Sequence, residues 1–555
     1  MGVAALTTES RAAGRPLSRA IFFALPLVYS LTFARFWLSD VDEGFLLGLA
    51  WRIVHGQLPY RDFIYVRPPL PILLEAAQLA LIPWDLQIYV SRVLFYVCVA
   101  TYSLVSAQLL CRGSRGRTAA IDPYLLAAAA FVFSSHDFPP MAWHTTDGIL
   151  FATLGVALLV RSARPLAVAA GAASLVLAAL CKQPFALIAA LGPLLAGALH
   201  GRRTGMFAAF WIAAPSAAAF AALAVLGILL SFVSQTIGGL GAGGGLVASG
   251  FSAYLDCSFA PFLVGLSVGG VAREVRRRRG LGFDWGIAIA IGLVFVLLAA
   301  MGRAVVPALK RFVALDASYD AFALMWLGAG LAAVEAIRRR TDPSVLAVLL
   351  VIAWASGLTW GAQGPSLFAT PLLYALLYLA CEILESRWVR ELQWLLVVGG
   401  IAAFSVVYFL GARGPDASPH HPTTALSDLS PRLTFVRGSQ STHRKLAELF
   451  DARRRYGPRL AVLPTFALAN FLLDDDAALP LDRLSALELD GGREWFEREL
   501  DQRIDYALLE RSQEAPDGSF ETPTLERVRH LWRHVETLDH FEVFANPRGN
   551  RADER

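Results

Sequence analysis

Long apolar segments alternate with short basic stretches from Ala20 to Leu410, and the alternation stops near Gly411. Runs of roughly 16–25 apolar residues have the length of a helix that crosses a bilayer. The pattern predicts thirteen membrane helices, at approximately 20–38, 87–110, 122–135, 148–160, 166–181, 184–199, 206–231, 257–272, 285–301, 321–337, 343–361, 366–384 and 394–411. The third to sixth are short for a bilayer. Between the first two, Phe45, Leu46, Leu49 and Ile53 recur at helical spacing, with Arg52 and His55 on another face. Pro68-Pro69-Leu70-Pro71 then opens an apolar stretch at 70–83 that is too short to span. Both stretches predict helices lying in the membrane interface. Beyond Gly411 the period changes. Apolar runs at 459–463, 504–509 and 541–544 predict strands, and amphipathic stretches at 441–456 and 522–537 predict helices between them. The expected fold is thus a multi-pass α-helical membrane protein with a small C-terminal α/β domain. Residues 1–19 form an N-terminal arm, 20–411 the transmembrane domain with a first outer loop at 39–86, and 412–555 the C-terminal domain.

Composition agrees with the pattern. The 555 residues are 56% hydrophobic and 17% charged, with a mean hydropathy of +0.51; a soluble domain carries more charge. The five cysteines are scattered without a CxxC, so neither a disulfide framework nor a zinc cluster is indicated. The apolar stretch 20–38 has no small-residue cleavage site after it and is expected to be a retained helix. Arginine clusters at 11–19, 112–117, 161–164, 202–203, 273–279, 338–340 and 387–390 fall on one side of the predicted helices. Short basic loops stay in the cytoplasm. The N-terminus is therefore expected inside, and the C-terminal domain outside, the cytoplasmic (inner) membrane.

That orientation puts the chemistry-bearing residues on the outer side. Asp40, Asp42 and Glu43 cluster where the first helix leaves the bilayer. Charge at that depth is costly and usually functional. One or two of them would suffice to cap a helix beginning near Gly44. The second outer loop holds Asp137, His144 and Asp147, which are candidates for binding a sugar or a metal. No His/Glu spacing defines a metal site. Lys182, between two apolar segments, suits an anion as a point charge. Arg303, Lys310 and Arg311 are basic residues in an outer loop, against the usual bias. Arg35, Arg61 and Arg67 are further candidates for an anionic partner. The glycine run 238–245 lacks the Gly-Lys-Ser/Thr ending of a phosphate loop.

Asp42-Glu43-Gly44 followed by Gly56-x-x-Pro59-Tyr60-Arg61-Asp62-Phe63 resembles the first loop of GT-C glycosyltransferases. The branch is that of protein O-mannosyltransferases, lipid A aminoarabinose transferases and galacturonosyltransferases. Ala170-Gly171-x-x-Ser174-Leu175-x-Leu177-Ala178-x-x-Cys181-Lys182-Gln183 resembles a later stretch of the same group. Where members often carry an Arg–Tyr pair before a Pro-rich late helix, this chain has Gly361-Ala362-Gln363-Gly364-Pro365-Ser366.

The resemblance implies transfer of a sugar from a polyprenyl-phosphate donor to an envelope glycan, lipid or protein at the outer membrane face, with inversion at the anomeric carbon. Asp42 is the candidate general base, because an attacking hydroxyl must shed a proton. Glu43 would position the acceptor or assist. Lys182, Arg303 and Arg311 would stabilise the departing phosphate. No nucleotide or nucleic acid is required, and metal use is left open. Three rivals remain: a secondary transporter, a membrane scaffold displaying the tail, and a transferase of a non-sugar group. Against the transporter, the chain shows no internal repeat and its charges gather at one surface.

Overall fold

The computed structural model describes residues 2–38, 42–112, 116–238, 254, 274, 317–338, 344–358, 364–409, 423–476, 478–485, 488–489, 492–511 and 522–548. The expected helices at 257–272 and 285–301 lie outside the described residues, as do Asp40, Arg303, Lys310 and Arg311.

Helices occupy the other apolar segments. They are α1 (Gly2–Thr32), α4 (Gln87–Cys111), α5 (Pro123–Asp137), α6 (His144–Arg161), α7 (Pro165–Cys181), α8 (Ala186–His200), α9 (Arg202–Val225), α11 (Ala317–Arg338), α12 (Ser344–Gly357), α13 (Thr370–Ile383) and α14 (Ser386–Phe409). Between α1 and α4 lie α2 (Asp42–Val54) and α3 (Leu70–Leu81), and a short α10 (Leu229–Val233) follows α9. Among the described residues, the helical stretches 84–111, 183–200 and 202–225 are long and apolar enough to cross a membrane, and shorter apolar helices accompany them.

Local chemistry sets these boundaries. Asp122 caps α5 by accepting from the Tyr124 and Leu125 amides at 2.8 and 3.3 Å, with Pro123 in the first turn. Leu126 through Val132 are buried on every side. A helix apolar all round belongs inside a bundle, and α5 is that centre. Helix α9 instead turns Met206, Phe210 and Val225 outwards. Helices α6 and α7 meet at Gly155 and Gly171, where a Cβ on Gly155 would stand 2.8 Å from the Gly171 carbonyl oxygen. Small residues permit this approach. Helix α1 ends at Thr32 rather than near 38, because the chain turns there. The Arg437 amide donates to Arg35 O at 2.7 Å, and Phe36 makes a parallel bridge to Arg437.

Residues 423–548 hold a hairpin of β1 (Thr423–Ala425) and β2 (Arg437–Ser439) and a four-stranded sheet. The sheet strands are β3 (Leu460–Leu463), β4 (Tyr506–Glu510), β5 (Arg533–Thr537) and β6 (Phe541–Ala545), in the order β3-β4-β6-β5. β3 runs parallel to β4, and β6 is antiparallel to both neighbours. Helices α15 (Gln440–Tyr456), α16 (Ala469–Leu473), α17 (Arg493–Arg503) and α18 (Thr522–Leu531) pack around it. The expected helix 522–537 stops at Leu531. The chain then reverses and pairs along β6, Arg533 opposite Ala545 and Thr537 opposite Glu542. Pairing to an open strand edge outweighs the helical spacing of the side chains.

The connection between α1 and α4 is built into this C-terminal unit. Leu47, Ala50 and Trp51 of α2 and Ala76 and Leu79 of α3 share one core with Leu446, Phe466, Leu468, Phe471 and Leu508. The opposite side of α2, through Phe45, Leu46 and Leu49, packs on Met141, Trp143, Leu223 and Phe232. Helix α2 is therefore a layer between two bodies, buried from Glu43 to Arg52, rather than a helix with one face in water.

Candidate functional site

Helix α2 opens on Asp42 and Glu43, two carboxylates in a first turn whose free amides favour negative charge. The neighbours have different surroundings. Glu43 is 7% exposed. Its Oε1 and Oε2 accept from Arg92 Nε and Nη2, both at 2.7 Å. This two-bond fork is the strong geometry for a guanidinium and a carboxylate. Arg92, on α4, also donates to the carbonyls of Ala34 at 2.9 Å, Phe36 at 3.3 Å and Trp37. One arginine thus ties the end of α1 to the start of α2. A narrow cleft beside the pair is lined by Phe36, Trp37, Pro139, Pro140 and Met141. The Asp42 side chain is 41% exposed, with Arg483 Nη1 at 3.7 Å from its Oδ1. The nearby Nε of Arg483 is buried with no hydrogen-bond partner.

A second group of charges gathers where α6 begins and α7 ends. Arg67 lies 4.9 Å over the ring of Phe45. Phe45 stands three residues after Asp42 on α2, hence on a neighbouring part of the same face. The segment carrying Arg67 is pinned at several points. Tyr60 Oη donates to Arg67 O at 2.7 Å, Gln183 Nε2 donates to Val66 O at 2.7 Å, and Gln235 bridges the Tyr65 amide and the Tyr60 carbonyl. Arg67 pairs with Glu488 at 3.1 Å. Lys182 is buried and donates to Thr145 Oγ1 at 3.1 Å and Ser356 O at 3.2 Å. Arg67 and Lys182 are close enough to repel each other, and His144 feels both. Tyr65 feels Arg67, Glu488 and Asp147.

Several polar atoms in this group have nothing to bond to. Tyr65 Oη, His144 Nδ1 and Thr146 Oγ1 are buried without hydrogen-bond partners. Buried polar groups are normally satisfied, so these orphans in the region of two cations make it a candidate for binding a polar group. Burial drives the Tyr65 hydroxyl well above the usual range, so it stands as a donor rather than a phenolate. Behind the site, Glu75 of α3 accepts from Gln87 Nε2 at 2.9 Å and Ser91 Oγ at 2.7 Å; burial raises its carboxyl above the ordinary value.

The other sequence candidates lie elsewhere. Arg61 is exposed and clasped by its neighbour, Nε to Asp62 Oδ1 at 2.9 Å and Nη2 to Oδ2 at 2.8 Å. That hydrogen bonding keeps the Asp62 carboxyl below the usual carboxylate range. Arg35 sits 5.7 Å over the ring of Phe435. Among the described residues, no group of three or more His, Cys, Asp or Glu could hold a metal ion. Three participants escaped the sequence: Arg92, Arg483 and Glu488. Arg92 carried a signal, being a lone arginine inside an apolar segment. The other two sit in a tail loop with no local pattern.

No family model matches the chain, and no curated protein matches it. Among solved structures, the chain is similar to the crystal structure of ArnT from Cupriavidus metallidurans in the apo state, at 13% identity and a TM-score of 0.42, over 97% of this chain and 99% of that one.

Proposed function

We propose that this chain is an integral-membrane glycosyltransferase of the GT-C kind, moving a sugar from a polyprenyl-phosphate donor to an acceptor hydroxyl at the outer face of the cytoplasmic membrane. One observation supports this most. A half-exposed carboxylate, Asp42, stands beside Phe45, and Phe45 carries the guanidinium of Arg67. The candidate base thus lies on the same short helix as the ring over which the candidate anion-holding cation, Arg67, is seated. The resemblance of Asp42-Glu43-Gly44 and Gly56 to Phe63 to the first loop of that group points the same way.

In this mechanism Asp42 takes the proton of the acceptor hydroxyl as its oxygen attacks the anomeric carbon. The bond from that carbon to the phosphate oxygen breaks, and the configuration inverts. The leaving polyprenyl phosphate gathers negative charge, which Arg67 and Lys182 stabilise. His144 and Asp147 face the sugar. Arg483 Nη1 stands 3.7 Å from Asp42 Oδ1 and places an opposite charge beside it. Glu43, committed to Arg92, fixes the turn from which Asp42 projects. The acceptor is a glycan, lipid or protein of the envelope.

The test is Asp42→Asn. Expected is a loss of at least about a hundredfold in transfer, the contribution typical of a general base, with expression and detergent monodispersity retained. A variant that keeps most of its activity leaves Asp42 as a helix-end residue only.

A further inference from the structure

Residues 479–485 of the C-terminal unit lie against Arg52 and Ile64, and Glu488, further along the chain, meets Arg67. The near end is latched. Asp482 accepts from Arg52 Nε at 2.8 Å and from Asn470 Nδ2 at 2.9 Å, and Leu479 O accepts from Arg52 Nη2 at 2.6 Å. The Ile64 amide donates to Pro480 O at 2.8 Å, and the Leu484 amide donates to Pro464 O at 2.7 Å. Arg52 is 1% exposed, so this latch is buried. Six residues beyond Asp482, Glu488 is 4% exposed and meets Arg67 Nη1 at 3.1 Å.

A carboxylate and a phosphate make the same kind of charge-assisted bond to a guanidinium. A half-buried guanidinium such as that of Arg67 is disfavoured without an anion, whereas exchanging one anion for another leaves it paired. We infer that Glu488 is a built-in competitor for the donor's phosphate at Arg67, setting how tightly the donor is held and helping to expel the spent lipid phosphate. The inference rests on the function proposed above. When the donor arrives, its phosphate displaces the Glu488 carboxylate while the Asp482 latch stays closed. When the sugar has left, the carboxylate returns and the polyprenyl phosphate is released.

The experiment compares full-length wild type with Glu488→Gln in detergent, measuring binding of a short-chain polyprenyl monophosphate, with the uncharged polyprenol as control. Expected is binding of the phosphate roughly tenfold tighter in the variant, about the worth of one charge-assisted hydrogen bond, with the polyprenol unchanged. Unchanged or weaker phosphate binding overturns the inference. Should the variant not fold, hydrogen exchange in the wild type decides. Adding the monophosphate should speed exchange of the Glu488 and Leu489 amides, which donate to Ser485 O, and leave 479–482 as it was; no acceleration at Glu488 and Leu489 overturns the inference. Tighter binding in a chain that transfers no sugar would sink the proposed reaction and keep Glu488 in its role. Normal transfer with unchanged binding would do the reverse.

Discussion

Asp42 and Glu43 are adjacent acids with opposite situations. Glu43 is buried against Arg92, and Asp42 is half-exposed beside Arg483. Removing one member of a buried ion pair costs about 3–5 kcal/mol, because the other charge stays behind undersolvated. A half-exposed pair at 3.7 Å is worth little. Glu43→Gln should therefore lower the unfolding midpoint of the detergent-solubilised protein substantially, and Asp42→Asn should barely move it. Intrinsic fluorescence during heating reads both. Equal shifts would mean that Asp42 is as structural as its neighbour. The sequence singled out both acids because charge at a membrane exit is expensive. It could not separate them, since the distinction comes from Arg92, 49 residues away on α4.

At the scale of elements, α2 shows where pattern ran out. Its apolar positions predicted a helix, and a helix forms. Its burial on both faces was hidden, because the covering surfaces come from the residues just before α6, from α9 and α10, and from the distant C-terminal unit. Glycines permit the closer of these contacts. A Cβ on Gly48 would lie 2.4 Å from Ala467 O, and one on Gly44 would lie 2.5 Å from the Leu468 amide nitrogen. Neither backbone neighbour can swing aside like a side chain. Gly48→Ala should push α2 off the 466–468 segment, costing on the order of 1–3 kcal/mol as overpacking does. Limited proteolysis of the C-terminal unit should become faster; an unchanged digestion rate would show that the contact is slack. The segment 522–537 failed for a related reason. Its charges keep helical spacing past Leu531, yet β6 offers an edge that takes residues 533–537 as a strand.

For the whole molecule, the apolar helices among the described residues were legible from the length of their apolar runs, which a bilayer demands. The union of first loop and C-terminal unit was not, because it depends on pairs such as Arg52 with Asp482 that stand 430 residues apart. Truncation after residue 411 should therefore abolish transfer and uncover α2. Trypsin should cut at Arg52, now 1% exposed, only in the truncated chain. Arg61, already at the surface, serves as the internal control. Resistance at Arg52 in the truncated protein would mean that the bundle alone covers α2.

The shared core of Trp51, Leu79, Phe471 and Leu508 also sets a timetable for synthesis. The ribosome makes one half of it early and the other half last. At about 5–20 residues per second, the stretch from Ile88 to Thr423 takes roughly 20–70 s. Throughout that interval the newborn loop has no partner for its aromatic side, and nascent chains cut short would remain inert. Competence would arrive only as the final strands emerge.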